Sequence, residues 1–208
     1  MEHSPIFIVT GADIEPRKER YIEYMLSLHT IFSYGFPVYG VVSEHIKDKD
    51  NTPFSQLPFK KLTFIERGHL DIFNKSSREF ISIKCLLDEI QDLDIDDSTF
   101  VIKASGRYLI LDNSFVSLVQ SNQLNLNVNS IIRLCDNDTQ QYTFLYALRY
   151  KYFKAFYNQS LNTVPNGKNI EKATLEFLHA NNLFETTLKV DRLGILTNIK
   201  GEGNFRIF

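Results

Sequence analysis

FVIKASGRYLI, residues 100–110, is the stretch on which the fold of the whole chain turns. Phe100, Val101 and Ile102 make a short apolar run that reads as a buried strand, although a run of this length is ambiguous by itself. It continues without a helical transition into Ser105 and Gly106, small residues that let a backbone come close to a ligand. Arg107 then offers a planar fork of donors suited to phosphate. The expectation is an anion site at a strand's carboxyl end.

Upstream, Ile6 to Val9 is a β-branched run closed by Thr10 and Gly11, a first strand and tight turn. From Arg17 to about Tyr34, Tyr21, Met25, Leu28 and Phe32 recur at helical spacing on one face, with Pro16 before them and Gly35 and Pro37 after. Val38 to Val42 is a second strand, with Glu44 at its end. Strand, helix, strand opens a parallel α/β sheet, whose ligands bind beyond the carboxyl ends of the strands. Thr10, Gly11 and Glu44 stand there; Glu44 is either a solvated loop carboxylate or an acceptor for a ribose or base.

Residues 45–60 read as an irregular loop and Leu62 to Ile65 as a third strand. In the following helix Ser76 and Glu79 match a capping box, which accounts for Glu79 without a chemical role. Phe80, Ile83, Leu87 and Ile90 form its buried stripe. Asn74, Lys75 and Arg78 stand at its N-terminus, where free N–H groups and the dipole favour an anion. The carboxylates of residues 92–97 read as a solvated turn.

Downstream, Asp112 is the expected N-cap of a helix from Ser114 to about Gln120. SNQLNLNVN is a loop or edge strand, and Ile131 to Leu134 a further core strand. After it, Asp136 and Asp138 either cap the next helix or ligate a hard divalent cation. That helix is expected over Thr143 to Tyr157, with Phe144, Leu148, Tyr152 and Phe156 as core or as a platform for a sugar ring. A last helix runs from Ile170 to Leu183, and LGILTNI and FRIF form a terminal hairpin.

The chain has 208 residues, 43% hydrophobic and 23% charged, enough for one sizeable core. Its net charge of -2 gives no global field for nucleic acid or an anionic membrane. Cys85 and Cys135 lie far apart in apolar segments, as reduced thiols of a cytosolic protein do. No apolar run approaches the ~20 residues needed to span a bilayer, and MEHSPIFIVTG lacks a basic signal region. The expected location is cytoplasmic, with a partner able to hold the protein at a membrane.

With these residues set out, the chain resembles small glycosyltransferases of the GT-A, nucleotide-diphospho-sugar transferase type. The resemblance is to bacterial surface-polysaccharide and large-virus sequences with a Lys-x-Ser/Thr-Gly-Arg-Tyr motif, here Lys103, Ala104, Ser105, Gly106, Arg107 and Tyr108. IFIVTGA, NKSSRE and DRLGILTNIKGEG support it. It implies a single α/β domain with a GT-A-like open, mostly parallel mixed sheet flanked by helices. Residues of about 1–120 would bind the nucleotide and about 121–208 the acceptor side. A nucleotide-diphospho-sugar donor would lie against Thr10, Gly11, Glu44, Asn74, Lys75, Arg78, Lys103, Ser105, Gly106, Arg107 and Tyr108. Its sugar would pass to an acceptor glycan or lipid-linked sugar in polysaccharide biosynthesis.

One departure from the family matters. Where most such enzymes carry Asp-x-Asp, which holds Mn²⁺ or Mg²⁺ against the diphosphate, this chain has Ser105-Gly106-Arg107-Tyr108. Lys103 and Arg107 together carry the formal charge of one such cation, so transfer is expected without an essential metal. If a metal does bind, Asp136 and Asp138 are its expected ligands. Arg107, Asp112 and Glu171 are the candidate catalytic residues, the two acids as possible bases for an inverting reaction. A sugar-phosphate nucleotidyltransferase fits less well, because TGADIEPRKER lacks a Gly-rich, early basic loop. A non-catalytic nucleotide- or glycan-binding module of the same fold is the other alternative.

Overall fold

In the computed structural model the described residues are 4–12, 18–44, 54–135, 139–199 and 204–207. The elements in chain order are β1 (Ile6–Ala12), α1 (Lys18–Ser33), β2 (Val38–Glu44), β3 (Lys61–Glu66), α2 (Lys75–Glu89), β4 (Phe100–Ser105), β5 (Leu109–Ile110) and α3 (Ser114–Ser121). After them come β6 (Ser130–Ile132), β7 (Leu145–Arg149), α4 (Tyr150–Gln159), α5 (Ile170–Ala180), β8 (Thr187–Lys189), β9 (Ile195–Ile199) and β10 (Asn204–Ile207).

One seven-stranded sheet has the order β3-β2-β1-β4-β7-β6-β8, and β5, β9 and β10 form a second, three-stranded sheet. In the large sheet β7 runs against the other six strands. The expected open, mostly parallel, mixed sheet flanked by helices is therefore present. The order reverses between β1 and β4, because β2 and β3 extend one way from β1 and the later strands the other. Such a switch point opens a crevice at the carboxyl ends of the strands.

Side-chain alternation distributes β1 to both faces of the sheet. Ile6 and Ile8 pack with Phe80, Ile83, Phe153 and Phe177, on the side of α2, α4 and α5. Phe7 and Val9 pack with Leu28, Ile31, Phe115 and Val119, on the side of α1 and α3. A strand buried on both faces reads as a continuous apolar run, and IFIV does. Gly35 ends α1 with φ 72, a left-handed conformation that glycine adopts without a Cβ penalty.

Four expectations need correction. The helix expected over Thr143 to Tyr157 is instead β7 followed by α4. Every residue of β7 is buried, and it pairs with β4 on one side and β6 on the other. Pairing in the sheet centre overrides the four-residue recurrence of Phe144, Leu148, Tyr152 and Phe156. The N-cap of α2 is Asn74, whose side chain accepts from the Ser77 N–H at 2.9 Å, so Ser76 and Glu79 form no capping box. The last long helix stops at Ala180, and the strand expected over Ile131 to Leu134 is Ser130–Ile132. The terminal hairpin is present as antiparallel β9 and β10.

Arg149 ends β7 fully buried, and its guanidinium occupies the junction between β4 and the loop after α3. Nε donates to Val128 O at 3.0 Å, Nη1 to Gln123 O at 2.7 Å and to Ser98 O, and Nη2 to Asn122 O at 3.0 Å and Asn125 O at 2.8 Å. All five of its donors are used, which orders an Asn-rich loop that has little apolar surface of its own.

Both cysteines are free thiols, Cys135 buried and Cys85 half-buried. Among the described residues no helix is long and apolar enough to cross a membrane.

Candidate functional site

At the carboxyl end of β4 the N-termini of α2 and α5 meet the segment that enters β7. They enclose a cavity of about 200 Å³ lined by Lys75, Ser76, Glu79, Ser105, Tyr108, Thr143, Phe144, Ile170 and Glu171. Two helix N-termini, the positive ends of their dipoles, thus contribute residues to this cavity. Asn74 and Asn169 cap them, Asn169 accepting from the N–H groups of Glu171 at 2.7 Å and Lys172 at 3.2 Å. Lys75 is exposed at the rim. Phe144 and Tyr108, edge to face at 5.0 Å between ring centres, form an aromatic wall.

Lys103 lies beneath this cavity rather than in it. On β4, Phe100, Ile102 and Ala104 face α1 and α3, so alternation sends Lys103 to the opposite, helix-covered face, where it is 1% exposed. Its ammonium ion-pairs with Glu79 Oε1, donates to Thr143 O at 2.6 Å, and donates to Ser105 Oγ at 3.1 Å. The contact with Glu79 is an ion pair without hydrogen-bond alignment. The expected direct contact between Lys103 and a donor diphosphate is thus corrected: burying an ammonium requires a partner, and Glu79 is that partner. Beside Glu79 the buried hydroxyls of Tyr146 and Tyr157 lie 3.3 Å apart, and burial pushes both phenols well above their ordinary pKa.

Arg107 stands on the other side of Tyr108. Its Nη2 donates to Tyr108 Oη at 2.8 Å. Desolvation opposes its charge, but Tyr108, Tyr24 and Glu23 more than offset that and raise its pKa above the ordinary arginine value. Gly106 crosses the end of β1, its N–H donating to Thr10 O at 2.8 Å. A Cβ on Gly106 would stand 2.9 Å from Val9 Cγ1 and 3.1 Å from Thr10 O, and one on Gly11 would stand 2.9 Å from the Phe54 ring. Both glycines therefore serve close packing within the chain, where close approach to a ligand was expected of Gly106 and a tight turn of Gly11, which instead lies inside β1. Tyr24 ties α1 to the end of β1, donating to Ala12 O at 2.9 Å and accepting from Ala12 N–H at 2.7 Å.

The remaining expected residues scatter. Lys75, Ser105, Tyr108 and Glu171 line the cavity; Arg78 does not, and its guanidinium lies 3.6 Å from Asp71. Glu44 ends β2 opposite Glu66. Asp136 and Asp138 lie outside the described residues, and among those described no group of three or more His, Cys, Asp or Glu side chains could hold a metal. Asp112 accepts from the Ser114 hydroxyl and from its N–H at 2.9 Å, which keeps its pKa below the ordinary carboxylate value. The N-cap of α3 is Asn113, which makes no side-chain cap bond, so the expectation that Asp112 caps this helix is corrected: Asp112 stands one residue earlier, beside the turn at Gly194 and away from the cavity lining. Glu79, Thr143 and Ile170 join the site without having been expected there, and Phe144, read as core or as a sugar platform, lines it beside Ser76 of the helix start. A lysine inside a strand buried on both faces was the available signal that a carboxylate must be near.

The seven-stranded sheet with its reversed β7 matches known structures. A Francisella tularensis 2-C-methyl-D-erythritol 4-phosphate cytidylyltransferase superposes with a TM-score of 0.60 at 10% identity, over 96% of each chain. This is the GT-A-type fold. The same fold occurs in a glycosyltransferase involved in glycosylation of the major capsid of PBCV-1, with a TM-score of 0.51 and 8% identity over 90% of this chain and 82% of that one. It occurs also in a Desulfovibrio desulfuricans protein described as a nucleotide-diphospho-sugar transferase, with a TM-score of 0.51 and 13% identity over 90% and 80%. No family model and no curated protein sequence matches the chain. In the GT-A-type fold, as in other open α/β sheets, the carboxyl ends of the strands are where ligands bind, and the cavity lies there.

Proposed function

We propose that this protein is a glycosyltransferase that moves a sugar from a nucleotide-diphospho-sugar to an acceptor glycan or lipid-linked sugar. The observation that carries the proposal is the cavity at the end of β4, where the exposed Lys75, hydroxyls, two carboxylates and an aromatic wall meet. In transfer, the bond between the sugar's anomeric carbon and the diphosphate breaks, and one forms to the acceptor oxygen. The acceptor's proton must leave, and charge accumulates on the departing diphosphate. Arg107 and Lys75 flank the end of β4 and can take up that charge. Glu171, at the cavity wall, can take the proton if the reaction inverts. Asp112, which accepts from Ser114 ahead of α3, lies outside the cavity lining and is set aside as a base.

By the resemblance, Ser105-Gly106-Arg107-Tyr108 stands where Asp-x-Asp would, while Asp136 and Asp138, the other expected ligands, lie outside the described residues. The proposed reaction therefore uses cationic side chains in that role. Calorimetric titration with UDP-, GDP- and CDP-sugars, followed by an assay for sugar release or transfer, tests the function. Absence of binding to every nucleotide would leave a non-catalytic module of this fold.

One observation favours a second reading, a sugar-phosphate nucleotidyltransferase. The match to the cytidylyltransferase covers more of both chains than those to the other two proteins. Pyrophosphate release from CTP or UTP with sugar phosphates distinguishes it.

A further inference from the structure

All three partners of the Lys103 ammonium belong to residues that line the cavity. Glu79 gives a carboxylate oxygen, Thr143 its carbonyl and Ser105 its hydroxyl. They come from α2, the approach to β7 and β4, so one buried cation braces three walls from below. Glu79 Oε1 is buried against that cation. The side chain nevertheless keeps 17% exposure and lines the cavity, so its exposed part faces the space above.

The size and chemistry of that space narrow the ligand. About 200 Å³ is below the roughly 300–1,000 Å³ of drug-sized sites. It suits one ring-sized moiety and not an entire nucleotide sugar. Two carboxylates oppose an anion there, and they fall short of a cation's ligand set. Hydroxyl and carboxylate groups together with Phe144 and Ile170 in one lining match a polyhydroxylated ring that has polar edges and apolar faces.

Building on the glycosyltransferase assignment, we infer that Glu79 is the specificity-determining residue for the sugar ring. Its carboxylate accepts hydrogen bonds from ring hydroxyls, and Lys103 is its positioning residue, making no contact with the sugar. A site that hydrogen-bonds a hydroxyl discriminates strongly against a ring that presents it differently, because a buried acceptor is then left unpaired.

The test is calorimetry on the full chain with UDP, GDP and CDP, then with epimeric sugar conjugates of whichever nucleotide binds, such as UDP-glucose and UDP-galactose. Wild type should prefer one epimer. Glu79→Gln should bind the free nucleoside diphosphate within about twofold of wild type and lose about tenfold in epimer preference. Lys103→Met should show the same split although it touches no ligand. If it fails to fold by circular dichroism, Glu79→Gln/Lys103→Met removes both charges together and should behave as Glu79→Gln alone. Epimer preference retained in Glu79→Gln, or absent from wild type, overturns the inference while leaving the glycosyltransferase assignment standing. Failure of all three nucleotides to bind overturns both.

Discussion

The guanidinium carbon of Arg149 lies 3.9 Å from the centre of the Phe100 ring, the residue it faces across the β4–β7 ladder. Cation–π contact and five carbonyl partners hold a charge that has no carboxylate beside it among its hydrogen bonds. Arg149→Met keeps bulk but strands those carbonyls, of which Val128 O and Gln123 O are buried. It should destabilise the fold by more than about 3 kcal/mol in urea unfolding. A loss below about 1 kcal/mol would mean that water replaces the guanidinium at little cost.

Gly106→Ala should destabilise by about 1–3 kcal/mol, because its Cβ would press on Val9 and on a backbone oxygen that cannot move independently. Thermal melts of the variant provide the check. An unchanged melting temperature would show that the end of β1 yields easily.

Arg107→Ala should abolish sugar transfer while leaving the fold intact, since its side chain is half-buried and hydrogen-bonds the neighbouring Tyr108 hydroxyl. Turnover measured with the donor that binds should fall by at least about a hundredfold. Near-normal turnover would reduce KASGRY to a structural strand end.

Activity should persist after exhaustive treatment with a chelator. Loss of transfer with EDTA and recovery with Mn²⁺ alone would direct attention to Asp136 and Asp138.

The lowered pKa of Asp112 gives a signed pH effect. The Ser114 hydroxyl, then its N–H, favour the ionised form in the folded state. The resulting stability is fully present above the ordinary aspartate value of about 3.9 and is lost as pH falls through the folded value. Asp112→Asn should therefore flatten the acid side of a melting-temperature profile taken from about pH 5 to about pH 2. Parallel profiles for the two proteins would count against the Ser114 contacts.

The first half of the sheet was legible because IFIV, VYGVV and FVI are short, β-branched and separated by a helix of clear period. β7 was not, since LYALR continues into the helical YKYFKAFYNQ and the combined apolar spacing mimics one long helix. The candidate cavity lies where strand ends and helix starts pointed, but the role of the lysine beneath it was not legible. Lys75, Ser105, Tyr108 and Glu171 could be placed from strand ends and helix starts alone. The Lys103–Glu79 pair could not, because a Ser-x-x-Glu pattern offered Glu79 a sufficient local partner, and only the packing of α2 on β4 shows that its real partner is distant in sequence.

β5 follows directly on Tyr108, yet its partner is β9, through Leu109 with Leu196 and Ile110 with Ile195. During synthesis the motif loop would leave the ribosome long before the strand that secures its far end. Chains fold from the N-terminus as they emerge, at about 5–20 residues per second. An arrested nascent chain ending before Leu193 could assemble β1 to β4 while Ile110 stayed uncovered. Anchoring of the segment after Tyr108 would then arrive late in translation, as a step separable from pairing of β1 to β4.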